Sequence, residues 1–243
     1  MNIIKLNAID STNDFLKNLS RDQELENFTI VTALNQTKGR GQMGALWQSE
    51  AGKNLTISIL VKNTVFDVNA IYDLNIAIAL SLIAVLKPLP ISNLSIKWPN
   101  DIMAGDKKLG GILIENRIKS AVNIESVVGI GLNINQRNFD NLNNATSLFI
   151  ESGQEFDLDD LISKIVLKIQ QYCVLISTNK QALLWCEYHK NLYKINVPSV
   201  FEETSQRRFT AQIIAVTAQG QLQISDDENK LRLFGIKEIK MIF

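Results

Sequence analysis

Histidine and cysteine are nearly missing from this chain: His189, Cys173 and Cys186 are the whole complement in 243 residues. A closed structural zinc site takes four Cys or His ligands, and only these three exist, all within residues 173–189. Schemes that need a histidine general base have one candidate, and a Cys–His pair has little more. Excess charge is missing too. With 25 Lys+Arg against 25 Asp+Glu the formal charge is zero, which argues against a general coating of nucleic acid but allows a local basic patch. The N-terminus lacks the cationic and long apolar regions of a secretory signal. The longest apolar run, around residues 76–86, is broken by Ser81 and ended by Lys87-Pro88, too short for a membrane span. Two cysteines in apolar or amphipathic surroundings suit packing in a reducing compartment, so the expectation is a cytoplasmic protein with no membrane partner. What is present is ordinary for a globular chain, 46% apolar and 21% charged, enough for a sizeable core.

Glycine is distributed unevenly, with nine of the 12 before residue 132. Clustering at loops points to a ligand surface in the first half, because glycine lets backbone approach a ligand closely. Periodicity predicts a helix over 12–20 capped by Ser11 or Thr12, with Phe15, Leu16 and Leu19 inward. Strands are predicted at 28–34 and 54–61, the second with Leu55, Ile57, Ile59 and Val61 on one face. A helix over 72–86 stops at Pro88, and strands follow at 94–98, 111–115 and 125–133. Helices are predicted at 158–177, behind an Asp157 cap, and at 179–190. Beyond His189 come short β-rich pieces at 194–201, 207–216, 221–224, 231–235 and 238–243, which read as a small barrel or sandwich. The expected domains are therefore 1–190 and 191–243.

Gly39-Arg40-Gly41-Gln42-Met43-Gly44 matches G-x-G-x-x-G literally. A dinucleotide site needs a helix directly after that string and an acidic residue about 20 positions on. Here Ala45-Leu46-Trp47-Gln48 leads toward a strand instead. A P-loop fails as well, because Ala45 stands where its lysine must be. The remaining choices are a solvated connection or an anion-binding loop in which backbone N–H groups and Arg40 wrap a phosphate. Further on, Lys97-Trp98-Pro99-Asn100-Asp101 follows an apolar strand start, and Lys107-Lys108-Leu109-Gly110-Gly111 leads into Ile112-Leu113-Ile114-Glu115. A strand, a turn, a basic hairpin tip and a returning strand bring Lys97, Asp101 and Lys108 together. As pure structure, Pro-Asn-Asp is a good turn and Lys107-Lys108 a good solvated tip.

Taken together, these segments resemble the biotin–protein ligase family. The likeness rests on Ser11-Thr12-Asn13, Gln36, Gly39-Arg40-Gly41 with Gly44 and Trp47, Lys97-Trp98-Pro99-Asn100-Asp101, Lys108-Leu109-Gly110-Gly111-Ile112-Leu113-Ile114-Glu115 and Gly129-Ile130-Gly131-Leu132-Asn133. Ala145-Thr146-Ser147-Leu148 extends it slightly. The resemblance implies an α+β fold: a mixed β-sheet with flanking helices, of the class II synthetase-like, biotin–lipoate ligase kind, plus a small C-terminal SH3-like β-barrel. It implies ATP-dependent transfer of biotin, through biotinyl-5′-AMP, to one lysine of a biotin carboxyl carrier protein domain of acetyl-CoA carboxylase. ATP with Mg2+ is the implied cofactor, and no metal ligand is assigned. By the same likeness Arg40, Lys108 and Asp101 are catalytic. Ser11, Thr12, Asn13, Gln36, Gly39, Arg40, Gly41, Gln42, Lys108, Gly111 and Gly129 bind biotin, and Arg40, Trp47, Asn100, Lys108 and Asn133 bind ATP. For Trp47 and Trp98, packing and nucleotide stacking both remain open, and His189 is expected to pack or hydrogen-bond at the domain junction.

The composition suits that chemistry. A carboxylate with a pKa near 4 is ionised and nucleophilic at pH 7, so positioning and charge stabilisation suffice for adenylation. One departure stands out: the family usually carries a second basic residue where this chain has Gln42. The first motif begins at Ser11, so a ligase without a DNA-binding domain is expected, with no DNA partner; monomer and homodimer both stay open. The competing readings are a lipoate ligase or octanoyltransferase of the same fold, and a non-catalytic biotin- or nucleotide-binding regulator.

Overall fold

The computed structural model describes residues 2–120, 123–140, 142 and 144–242, with the side chain of residue 123 left aside. Phe243, the last residue of the expected final strand, lies outside the described residues. Twelve strands and five α-helices are found among them. The first sheet joins β1 (Ile3–Ile9), β2 (Ile30–Gln36), β3 (Leu55–Val61), β4 (Leu94–Lys97), β5 (Asp101–Ala104), β6 (Lys107–Ser120) and β7 (Asn123–Leu132) in the order β1-β2-β3-β7-β6-β5-β4. Only β1 and β2 run parallel; the other neighbours are antiparallel. A parallel pair needs a crossover, and α1 (Thr12–Asp22) supplies it. The sheet is therefore mixed, as the resemblance implied.

Helices α2 (Ile71–Leu86), α4 (Leu158–Ser177) and α5 (Gln181–Lys190) pack together over the main core, and the short α3 (Leu148–Ser152) precedes α4. α1 instead lies over β2, β3 and β7, around Leu16, Val31, Leu60 and Val127. Strand β3 is consequently buried along its whole length. Its alternation sends Leu55, Ile57, Ile59 and Val61 into the main core and leaves Thr56 and Ser58 under the start of α1. α2 is apolar all round because it is covered all round. With the turn before it, Val68–Leu86 reaches the length and hydropathy of a membrane span, longer than the sequence run suggested, yet 61% of it is buried inside the fold.

Two strands were not predicted. β1 alternates weakly and sits at an edge, and β5 begins at Asp101 inside what reads as a turn. β6 also extends to Ser120, past the predicted end at 115. Its outer half alternates Glu115, Arg117 and Lys119, and the last two pair with the buried Glu125 of β7 at 2.8 and 2.5 Å. Charge on that stretch hides a strand from hydrophobic periodicity.

The second sheet is antiparallel and five-stranded. It contains β8 (Ser199–Glu203), β9 (Arg208–Val216), β10 (Leu222–Asp226), β11 (Leu231–Phe234) and β12 (Ile239–Ile242) in the order β11-β10-β9-β8-β12, consistent with an SH3-like barrel. It is fastened to the first unit at defined points. The Trp98 indole N–H donates to Gly220 O at 2.9 Å, and the Val216 N–H donates to His189 Nε2 at 3.1 Å. The lone histidine thus hydrogen-bonds between α5 and β9. Gly220 has φ +79°, and a Cβ there would lie 2.4 Å from the Tyr72 ring. Gly220→Ala should therefore destabilise the protein by about 1–3 kcal/mol through overpacking alone, and a positive φ adds strain. Urea denaturation checks this; a midpoint equal to wild type would show that the docking tolerates a side chain.

Candidate active site

The tips of β2, β3, β6 and β7, the start of α1, the glycine loop and one side of the second sheet enclose a cavity of about 820 Å³. That volume is in the range that takes a substantial ligand. The polar end is built by α1. Ser11 caps the helix, its hydroxyl accepting from the Asp14 N–H at 3.4 Å, and Ser11, Thr12 and Asn13 are each 3% exposed. Thr12 donates its backbone N–H to Gln36 Oε1 at 2.8 Å. Asn13 can lie against β7 only because residue 129 is glycine, where a Cβ would stand 2.5 Å from Asn13 Oδ1.

The glycine loop closes one side. Trp47 N–H donates to Gly39 O and Gly41 N–H to Ala45 O, so the loop folds back on itself and no helix opens after it. The Trp47 ring lies on Gly131, where a Cβ would come within 2.5 Å of it. Its indole N–H is buried without a protein acceptor among the described residues, a donor available to a ligand. Arg40 reaches back to the Asp14 carboxylate at 3.2 Å. The guanidinium is 55% exposed, and such a surface pair is worth about 0–1 kcal/mol, so an anion in the cavity can take Arg40 at little cost.

Opposite the loop, the β4–β5–β6 meander brings Lys97, Asp101 and Lys108 together, as their spacing suggested. Lys97 pairs with Asp101 across β4 and β5, and Lys108 Nζ lies 2.6 Å from Asp101 Oδ1. Burial pushes the Lys97 ammonium pKa down; Asp101 opposes this, while Lys108, Lys194 and Lys240 add to it. Arg40, Lys97, Lys108, Lys237 and Lys240 line the cavity against one carboxylate, Asp101, among the described residues. An electrically balanced chain has concentrated positive charge here.

Two of the expected ligand residues, Asn133 and Gly39, are not among those that line the cavity. Asn133 is buried and donates its amide to Thr146 O at 2.9 Å. It braces residues 144–146, whose backbone bonds Lys108 on both sides: Lys108 N–H to Asn144 O and Thr146 N–H to Lys108 O. That pairing gives Ala145-Thr146-Ser147 a structural place beside Lys108. Gly39 is buried, and a Cβ there would stand 2.4 Å from Trp47 O and 3.0 Å from Gln36 Nε2. The remaining expected residues, Ser11, Thr12, Asn13, Gln36, Arg40, Gly41, Gln42, Trp47, Asn100, Asp101, Lys108, Gly111 and Gly129, all line the cavity. Asn100 spends its amide N–H on Ile112 O at 2.7 Å, leaving its oxygen for other partners. Cys173 takes no part: it is buried, and burial pushes its thiol pKa up to about 12. The sequence reading missed Lys237 and Lys240. Lys237 Nζ donates to Met43 O at 2.8 Å, tying the second sheet to the glycine loop.

A mixed sheet with a cavity closed by a small second sheet is a fold already seen in solved structures. The biotin protein ligase from Aquifex aeolicus in complex with biotin and ATP superimposes with a TM-score of 0.82 at 24% identity, over 99% of this chain and 98% of that one. The sequence places the chain more narrowly: the Biotin/lipoate A/B protein ligase family matches residues 6–135, more than half of its length, and the chain belongs to that family. Among curated relatives, the "Bifunctional ligase/repressor BirA" of Salmonella typhimurium is 33% identical over 171 residues, 70% of this chain and 52% of that protein. The "Biotin--[acetyl-CoA-carboxylase] ligase" of Mycobacterium tuberculosis is 29% identical over 164 residues, 66% of this chain and 59% of that protein. The chain spans about half the length of the curated relatives it matches.

Proposed function

We propose that the protein is an ATP-dependent biotin–protein ligase. The observation that carries this reading is the cavity itself, where a polar end at the buried Thr12 and Asn13 and the half-buried Gln36 is continuous with a cation-lined end at Arg40, Lys97 and Lys108. The polar end suits a ureido ring in an otherwise apolar pocket, and the cationic end suits a triphosphate. In the first step a carboxylate oxygen of biotin attacks the α-phosphorus of ATP, the bond to the bridging oxygen breaks and pyrophosphate leaves. Arg40 holds the carboxylate and α-phosphate together because its fork spans two oxygens. Lys108, held by Asp101, offsets charge on the reacting phosphate. In the second step a carrier lysine amine attacks the acyl carbon, AMP leaves, and the amine loses a proton.

Mg2+ carried in on a nucleotide takes one or two carboxylates with phosphate oxygens and water, and the Asp101 oxygen not held by Lys108 is the carboxylate that would meet it. Bound there, it would neutralise phosphate charge. The proposed acceptor is a biotin carboxyl carrier domain, and the proposed location is the cytoplasm, where both free thiols, Cys173 and Cys186, stay reduced.

Adding biotin, lipoate or octanoate with ATP and measuring pyrophosphate tests the assignment. Release is expected with biotin alone. Release with lipoate or octanoate would select the related ligase chemistry, and release with none would leave a binding protein.

Gln42 lines the cavity as a neutral amide, so it adds no charge against the adenylate phosphate. A hydrogen bond to a charged group is worth about 1.5–3 kcal/mol against about 1 for a neutral one, a gain of about 0.5–2 kcal/mol that centres near tenfold in retention. Gln42→Arg should accordingly lower biotinylation of bystander lysines by about tenfold, read by mass spectrometry of an added inert protein. Equal labelling by both would remove the role given to Gln42.

A further inference from the structure

Below the polar end of the cavity, side chains from four elements form one row. Glu115 of β6 accepts from Asn13 Nδ2 at 2.9 Å through one oxygen, and its other oxygen accepts from Lys17 Nζ at 2.6 Å. A carboxylate only accepts, so Asn13 must turn its nitrogen to Glu115 and its carbonyl to Ser58 of β3, 2.6 Å away. At the far end of the row, Gln36 is fixed just as firmly. Its oxygen takes the Thr12 N–H at 2.8 Å and lies 2.9 Å from the Thr12 hydroxyl. The Thr12 and Ser58 hydroxyls are 2.8 Å apart.

The row thus runs Asn13 Oδ1, Ser58 Oγ, Thr12 Oγ1, Gln36 Oε1, with a carbonyl at each end and two hydroxyls between. Three oxygen–oxygen contacts share two hydrogens, so whichever way the hydroxyls turn, one contact has none. Ser58 is fully buried and Thr12 and Asn13 nearly so, and in such surroundings a missing hydrogen bond weighs most. Thr12, Asn13 and Gln36 all line the cavity, so a ligand can reach the row.

We propose that Glu115 is a positioning residue: acting through Asn13 and Ser58, it makes this floor rich in acceptors and so selects a ligand ring that brings an N–H. The proposal rests on the biotin reading and gives it a basis for choosing the acid. A ureido ring brings two N–H donors; the dithiolane of lipoate and the chain of octanoate bring none.

The polarity reverses with a single change. In Glu115→Gln the new amide turns its oxygen to Lys17 and its nitrogen to Asn13. Asn13 then turns over and donates to Ser58, Ser58 donates to Thr12, and Thr12 donates to Gln36. Each contact now has its own hydrogen, and the floor is satisfied without a ligand. Ser58→Ala instead cuts the row: the Thr12 hydrogen goes to Gln36, Asn13 Oδ1 loses the Ser58 donor, and Glu115 can no longer set the polarity at Thr12 and Gln36.

The test is calorimetric titration of biotin, and of biotin methylated on both ring nitrogens, into wild type, Glu115→Gln, Ser58→Ala and the double variant. Biotin should bind Glu115→Gln about 10- to 100-fold more weakly, the cost of one mismatched buried hydrogen bond. The methylated compound should bind wild type and variant equally. The two single effects should be strongly non-additive, because they act on one row. In turnover the KM for biotin should rise while kcat holds. Biotin affinity within twofold of wild type in Glu115→Gln, or parallel losses for biotin and its methylated form, would overturn the positioning role and leave the biotin reading standing. Wild type that binds no biotin would overturn both. If Glu115→Gln does not fold, Ser58→Ala still breaks the path from Glu115 to Thr12 and Gln36, and biotin affinity within twofold of wild type there would overturn the positioning role.

Discussion

Arg40→Ala and Lys108→Ala should each slow formation of biotinyl-5′-AMP by about 10²–10³, the scale for removing one preorganised charge stabiliser. The two cations face the cavity from different walls, Arg40 from the glycine loop and Lys108 from the β5–β6 hairpin. Each is pre-set by a carboxylate, Asp14 at 3.2 Å for Arg40 and Asp101 at 2.6 Å for Lys108. The scarcity of histidine and cysteine is no obstacle to the proposed reaction, in which the attacking carboxylate and the leaving pyrophosphate would both arrive with the substrates. Neither variant should lose much stability, because Arg40 is a surface pair and Lys108 is 39% exposed, where ion pairs count for little. Burst-phase measurement of the adenylate, alongside an unfolding curve, separates the effects. Wild-type adenylate formation in both variants would remove Arg40 and Lys108 from the reaction.

Gly131→Ala should cost about 10² in the same rate. Its Cβ would come within 2.5 Å of the Trp47 ring, where carbon atoms rest at about 3.5–4.0 Å. The ring must therefore move by roughly 1 Å, and displacement on that scale can cost about 10²-fold when reacting groups are misaligned. The Trp47 backbone N–H donates to Gly39 O, so any shift of the indole that displaces its own backbone carries Gly39 and Arg40 with it. Overpacking should also lower stability by about 1–3 kcal/mol. Stopped-flow pyrophosphate release checks the rate; a value within twofold of wild type would mean that Trp47 does not set the loop.

These effects divide along a physical line. Lys97, Asp101 and Lys108 were legible together in the sequence because a tight meander joins neighbours that are close in the chain. Ser11 and Asp157 were legible as helix caps for the same reason, and both cap in the structure. Lys237 and Lys240 were not. They reach the cavity because the second sheet docks through Trp98, His189 and Gly220, and no local pattern encodes that docking. Ser58 sits in a strand whose apolar alternation hides its polar face, and Glu115 sits in a motif without a visible partner until β6 is laid beside α1. Asn133 shows the opposite case. Its position in a motif suggested the nucleotide, whereas burial turned its amide toward Thr146.

The most direct test of the central claim is a single turnover with excess protein, biotin, MgATP and a purified biotin carboxyl carrier domain. One biotinyl group should appear on one carrier lysine, with one AMP and one pyrophosphate released and biotinyl-5′-AMP passing through a transient maximum. A carrier that stays unmodified while pyrophosphate, AMP and the adenylate remain undetected would contradict the account.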